Sequence, residues 1–179
     1  MVLMAVRPST FTNPIQTSNM SPVLFLDIDG VLNSAFYLRN NPNCFHRGED
    51  QANAIDPVAG TRLEQILTRT GAVMVLSSTW RLMNTVEQVT DFLKKRGVPS
   101  AKFIGATPVL SGYRGKEIQA WLKSHSNVVR FAIVDDDSDM DPFQEKLVKT
   151  SWETGLLDEH VEELIKKLLK PVDFSKNLL

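Results

Sequence analysis

The sequence predicts an α/β protein, a Rossmann-like three-layer sandwich around a five-stranded parallel sheet. Three observations lead there. From residue 22 onward, short apolar runs alternate with stretches of helical periodicity, the pattern of strands joined by crossover helices. Several runs are apolar throughout rather than at every second position, as strands buried on both faces must be. The polar residues best suited to chemistry follow directly on those runs, where the carboxyl ends of parallel strands form the ligand-binding edge.

Taken in order, Val23–Leu26 is the first strand, ended by Asp27, Asp29 and Gly30. Asp56 followed by Pro57 reads as a helix N-cap with proline in the first turn. Val58, Leu63, Ile66 and Leu67 give that helix its apolar spacing, and Gly71 stops it. Residues 72–76 form a second buried strand. Val86, Val89, Phe92 and Leu93 mark a helix over Val86–Lys95, and Phe103 with Ile104 begins a short third strand. Residues 115–123 form a helix carrying Ile118, Trp121 and Leu122. Residues 128–134 are the fourth strand and 146–149 a short fifth. Residues 157–169 close the fold as an amphipathic helix with Val161, Leu164, Ile165 and Leu168 inward. Residues 1–21 hold one Arg, no acid and many Ser, Thr, Asn and Pro. They read as an N-terminal arm, since one Arg is too few for a transit peptide. Residues 22–179 form the single domain.

The composition, 42% apolar and 23% charged over 179 residues, supports one core and excludes global disorder. No apolar run reaches the roughly 18 residues that a membrane span requires. A net charge of −1 excludes a generic nucleic-acid or anionic-membrane binder. By position the charge is uneven. Residues 60–131 carry eleven basic and four acidic side chains, whereas residues 132–179 carry six and twelve. Solvated helix faces account for this; so does a basic middle facing an anionic substrate, with acids beyond it holding a cation. Cys44 is the single cysteine and forms no internal disulfide, and the three histidines are scattered without zinc spacing. A soluble, cytoplasmic chain is expected.

Four segments carry chemistry. In residues 23–33, VLFLDIDGVLN, a buried strand delivers Asp27 and Asp29 two residues apart. Carboxylates at a buried strand end are costly unless something neutralises them, and a hard divalent cation such as Mg²⁺ would. One acid can then serve as nucleophile and the other as general acid and base. The alternatives are a polar turn after a strand, or a calcium loop, for which the EF-hand spacing is missing. Residues 75–81, VLSSTWR, place Ser77 and Ser78 at the second strand end, where hydroxyls and backbone N–H groups can cradle a phosphoryl oxygen. Trp80 reads as core before it reads as a stacking platform, and Arg81 as a surface charge or a second contact to an anion. Residues 131–141, FAIVDDDSDMD, crowd five acids into seven positions from Asp135. A metal site accounts for that density better than a solvated loop, because like charges this close repel. Arg114 and Lys116 at a helix start could meet a phosphate or hold a carboxylate ionised.

In that order these segments resemble the motifs of the haloacid dehalogenase-like (HAD) hydrolases, most of which are phosphatases. The likeness covers roughly residues 22–170: Asp27 and Asp29 match the first motif, Ser77 the second, Arg114 (or Lys116) the third, and Asp135 with Asp136 the fourth, with Asp139 as an outer helper. DIDGVLN, LSSTWR, RGKEIQAWL, VDDDSDM and ETGL are similar to a smaller branch, the Swiss Army Knife RNA repair-like domains. The resemblance implies a Mg²⁺-dependent phosphatase that works through an aspartyl-phosphate. Asp27 would be the nucleophile and Asp29 the acid and base. Asp27, Asp136 and the backbone carbonyl of Asp29 would hold the metal, with Asp135 orienting its surroundings. Ser77 and Arg114 would bind the phosphate, and Ser78 and Arg81 the substrate.

Family members often carry a cap domain. Here residues 34–55 leave room for a flap of about twenty residues, so a capless HAD core with an open site is expected. An open site suits a large phosphorylated substrate such as a nucleic-acid end. A small phosphorylated metabolite, a phosphoprotein and a catalytically silent binding domain are the alternatives. No GxxxxGK[ST] kinase motif occurs. No membrane partner is expected, and a monomer is, with a dimer as the alternative.

Overall fold

Val23–Leu26 (β1) is buried along its whole length, and its side chains divide by parity between two packing layers. Leu24 and Leu26 enter one apolar cluster, Val23 and Phe25 the other. The computed structural model describes residues 21–44 and 50–170. The expected arm therefore lies, apart from Ser21, outside the described residues. After β1 come α1 (Ala35–Asn40), α2 (Pro57–Thr70), β2 (Val73–Leu76), α3 (Val86–Lys95), β3 (Phe103–Ala106) and α4 (Arg114–Ser124). β4 (Phe131–Asp135), β5 (Leu147–Lys149) and α5 (Asp158–Leu169) complete the order. All five strands are parallel, in the order β3-β2-β1-β4-β5.

The chain runs from β1 out to β2 and β3, then crosses back through α4 to lay β4 on the other side of β1. The carboxyl end of β1 is thus flanked by β2 and β4, next to the switch in strand order, where such sheets bind ligands. The larger cluster joins one sheet face to α2, α3 and α5 through residues such as Leu63, Leu93 and Leu164. The opposite face is covered by α4, with Phe25 edge-on to both Trp121 (centroids 5.4 Å) and Phe131 (5.7 Å). Such edge-to-face pairs add about 0.5–1.5 kcal/mol beyond area burial.

The helix signals are realised in detail. Asp56 caps α2 by accepting from the Val58 N–H at 2.8 Å, and Gly71 ends it with φ +64°, a conformation glycine adopts without strain. The interval 34–55 is more than a flap: it contains α1, capped by Ser34, and a 3₁₀ turn at Gln51–Ala54. Val58 is 56% exposed rather than inward, since it sits in the first turn of α2, before the helix reaches the sheet. The fourth strand starts at Phe131, not at 128, because its partner begins at Val23, opposite Phe131; a turn closed by Val128 N–H to the His125 carbonyl precedes it. No helix among the described residues is long and apolar enough to cross a membrane.

Candidate active site

The register of the sheet assembles the site. Phe25 lies opposite Val75 on one side and Ile133 on the other, and all three face the α4 layer. Two residues further along each strand stand Asp27, Ser77 and Asp135. With a side-chain period of two, they emerge at one level and toward the same layer. Backbone bonds continue past the strands to hold that level: Asp27 N–H to the Val134 carbonyl (3.1 Å) and Ser77 N–H to the Leu26 carbonyl (2.9 Å).

Arg114, the first residue of α4, comes down onto this group. Its guanidinium lies 3.4 Å from Asp27 Oδ1 and 3.6 Å from Asp135 Oδ2, and also donates to the Ser77 carbonyl. Lys116 instead places its ammonium 4.5 Å over the Tyr113 ring. Gly115 explains the Arg-Gly pair, because a Cβ there would sit 2.1 Å from the Asp141 carbonyl oxygen. Asp139 fixes the same helix start: its carboxylate accepts from the Arg114 N–H at 2.9 Å and its carbonyl from Gly115. Tyr113, the N-cap residue, makes no side-chain cap, so a carboxylate from another loop does that work.

Asp27, Asp135 and Asp136 bring carboxylate oxygens within 4.8 Å of one another, the first two buried. Burial pushes the Asp27 carboxyl up, against the pull of Arg114 and a hydrogen bond from Ser78. Burial and the charge of Asp27 push Asp135 up, again opposed by Arg114. Burial works against the charge on Arg114, but Asp135 and Asp27 outweigh it and hold its pKa above the ordinary value. Asp135 Oδ2 is a buried oxygen without a hydrogen-bond partner. Three carboxylates that can bring hard oxygen donors together, beside a buried Asp135 oxygen that accepts no hydrogen bond, suit a cation such as Mg²⁺. Gly30 leaves space for the Asp136 side chain: at φ +71°, a Cβ there would lie 2.3 Å from the Asp136 carboxylate. Ser77 Oγ is likewise buried and unpartnered, a hydroxyl free for an anion at the strand end.

Asp29 is turned elsewhere and is not one of the clustered acids. Its Oδ1 accepts from Asn33 Nδ2 (2.7 Å) and Trp80 Nε1 (3.0 Å), and its Oδ2 from the Thr79 hydroxyl at 3.4 Å. Trp80 is therefore core and site at once: its ring packs edge-on to Phe92 while its N–H orients a carboxylate. Asn33, fully buried, also accepts from the Gly30 N–H and so ties the loop to Asp29. Arg81 spends its guanidinium on Glu117 (2.7 Å) and the Ser78 carbonyl, both side chains of the pair being 9% exposed. Glu117 also accepts from Leu110 N–H at 3.0 Å. Sequence reasoning missed Asn33, Thr79 and Glu117. The signals were present: an amide four residues after Asp29 in an apolar run, and an acid three residues after Arg114, beside the inward Ile118.

The uneven charge also resolves in part into internal pairs. Arg62 meets Asp158 and Arg69 meets Glu162 across α2 and α5, Lys95 meets Asp50, and Arg81 meets Glu117.

A parallel sheet whose first strand ends in DxD, flanked by a serine, a basic helix start and paired acids, is the arrangement of the HAD class. The chain belongs to the family described as the HAD domain in Swiss Army Knife RNA repair proteins, whose model matches residues 23–161. No curated protein and no solved structure gives a significant match to the chain.

Proposed function

We propose that the protein is a Mg²⁺-dependent phosphomonoester hydrolase working through an aspartyl-phosphate on Asp27. The observation that carries this reading is the convergence of Asp27, Arg114 and the unpartnered Ser77 hydroxyl beside the Asp135–Asp136 pair. An Asp27 oxygen attacks phosphorus in line, the bond to the ester oxygen breaks, and Asp29 gives that oxygen its proton. Asp29, now a carboxylate, takes a proton from water, which attacks the same phosphorus. Phosphate leaves and the Asp27 carboxylate is regenerated. Ser77 and Arg114 hold the equatorial oxygens as charge spreads over them. Asp27, Asp135 and Asp136, with the backbone carbonyl of Asp29, would hold Mg²⁺, which would supply positive charge to offset that of the phosphate.

The donors on Asp29 support its role. Asn33 and Trp80 hold Oδ1 and the Thr79 hydroxyl meets Oδ2, which fixes the orientation of the carboxyl group for proton transfer. The short interval 34–55 and the family's association with RNA repair proteins support a nucleic-acid end as the substrate. Phosphate release from an aryl phosphate in Mg²⁺, abolished in Asp27→Asn with the fold intact by circular dichroism, tests the chemistry. No turnover of any phosphate ester between pH 5 and 8 would sink it.

A further inference from the structure

The surface beside Asp29 bears on what the phosphate is attached to. A cavity of about 240 Å³ is lined by Asp29, Gln51, Thr79, Trp80, Met83 and Asn84. Asp27, Ser77 and Arg114 do not line it, so it adjoins the proposed acid without holding the proposed phosphate-binding groups. A leaving oxygen must come within hydrogen-bond reach of its proton donor. The group on that oxygen therefore begins at the wall of this cavity.

The walls define a chemistry. Asp29 is the only charged residue among them. Met83 is 80% exposed, a polarisable side chain that makes favourable contact with a flat ring. The Gln51 amide makes no side-chain hydrogen bond among the described residues, and Asn84 gives its Nδ2 to the Trp80 carbonyl, keeping its oxygen as an acceptor. Carboxamides pair donor and acceptor at the spacing of a nucleobase edge. The volume falls below the roughly 300–1,000 Å³ that encloses a drug-sized ligand, which suits one ring system with the rest of the substrate outside.

Resting on the phosphatase reading, we propose that this cavity takes the base of a phosphorylated nucleoside, against Met83 with its edge toward Gln51 and Asn84. The nucleoside is a free nucleotide or the end of a chain.

The test is kcat/KM in Mg²⁺ for oligonucleotides phosphorylated at the 3′ or the 5′ end, the same ends made abasic, the matching mononucleotides, and a phosphotyrosyl peptide. The base-bearing end is expected to exceed its abasic counterpart about tenfold, as stacked bases do on other protein surfaces. Met83→Asp, at an exposed position, should bring that ratio near one without lowering the melting temperature. The mononucleotide-to-oligonucleotide ratio then identifies which source of the base is used. Equal turnover of base-bearing and abasic ends overturns the inference while the phosphatase reading stands. So does preference for the phosphotyrosyl peptide, or a base preference that survives both Met83→Asp and Gln51→Ala. Phosphate release from none of these substrates removes the phosphatase reading, and the inference with it.

Discussion

Replacing Glu117 by alanine strands the Arg81 guanidinium in the interior. The two side chains are 9% exposed each and 2.7 Å apart, and Arg81 Nε is already buried without a partner. Truncating one member of such a buried pair costs roughly 3–5 kcal/mol, because the remaining charge keeps its desolvation penalty and loses its compensation. At roughly 2–4 °C per kcal/mol for a domain of this size, the melting temperature should fall by roughly 6–20 °C. The Leu110 N–H loses its acceptor as well, which favours the upper part of that range. Thermal and urea unfolding followed by circular dichroism measures it. The decisive comparison is Arg81→Met with Glu117→Leu, which removes both charges and keeps apolar volume. That double variant should be more stable than Glu117→Ala. Additive costs for the two single changes, or a Glu117→Ala loss within about 0.5 kcal/mol, would refute the reasoning. Because Arg81 also holds the Ser78 carbonyl, Glu117→Ala should lower the proposed phosphatase activity at temperatures where the chain is still folded.

Three further outcomes are expected. Gly30→Ala drives a methyl group into the Asp136 carboxylate at a positive φ, so MgCl₂ is expected to raise the melting temperature of the wild type and not that of the variant; an equal rise in both would show that Asp136 is not needed for the cation. Asp139→Ala removes the acceptor for the Arg114 N–H and should cost about 1 kcal/mol as a lost cap, with a lower kcat that Asp139→Asn largely restores; urea unfolding and steady-state kinetics read the two effects. Burial holds the His160 pKa below its ordinary value while its Nδ1 accepts from the Leu157 N–H at 2.9 Å. The unfolded chain therefore binds the proton more readily. His160 contributes stability above about pH 6.5 that is lost as the pH falls toward the folded-state value. Between pH 7 and 5 the wild type should lose more stability than His160→Gln, and equal slopes would contradict this.

The parts of the fold that depend on local chemistry were readable in the chain. Proline after Asp56 and glycine at 71 place both ends of α2, and Val86–Lys95 is helical over the span that its apolar spacing predicts. Strand β4 starts three residues later than its apolar run predicts, because its start is decided by its partner and not by its own apolar residues. The same distinction holds in the site. Asp27, Ser77 and Asp135 are legible since each ends a strand. Asn33, four residues on, is a local donor to Asp29; Thr79 and Trp80 are not legible as donors, since they reach it across about fifty residues of chain. Arg81 showed its charge in sequence, but its partner Glu117 lies 36 residues away on another element. What could not be read locally was pairing, which depends on how helices and strands meet.

The register that brings Asp27, Ser77 and Asp135 to one level has a consequence for how this site can fail. These residues extend the three adjoining strands β2, β1 and β4, and are stapled by Asp27 N–H to Val134 and Ser77 N–H to Leu26. Fraying of a loop or a helix end leaves those strands in place. Slipping one strand by a single residue would turn its functional side chain to the opposite layer and every core residue with it. Chemistry and fold are therefore lost together, in one cooperative event. The loops that hold Gln51 and Met83, outside this frame, can change what is recognised without touching it.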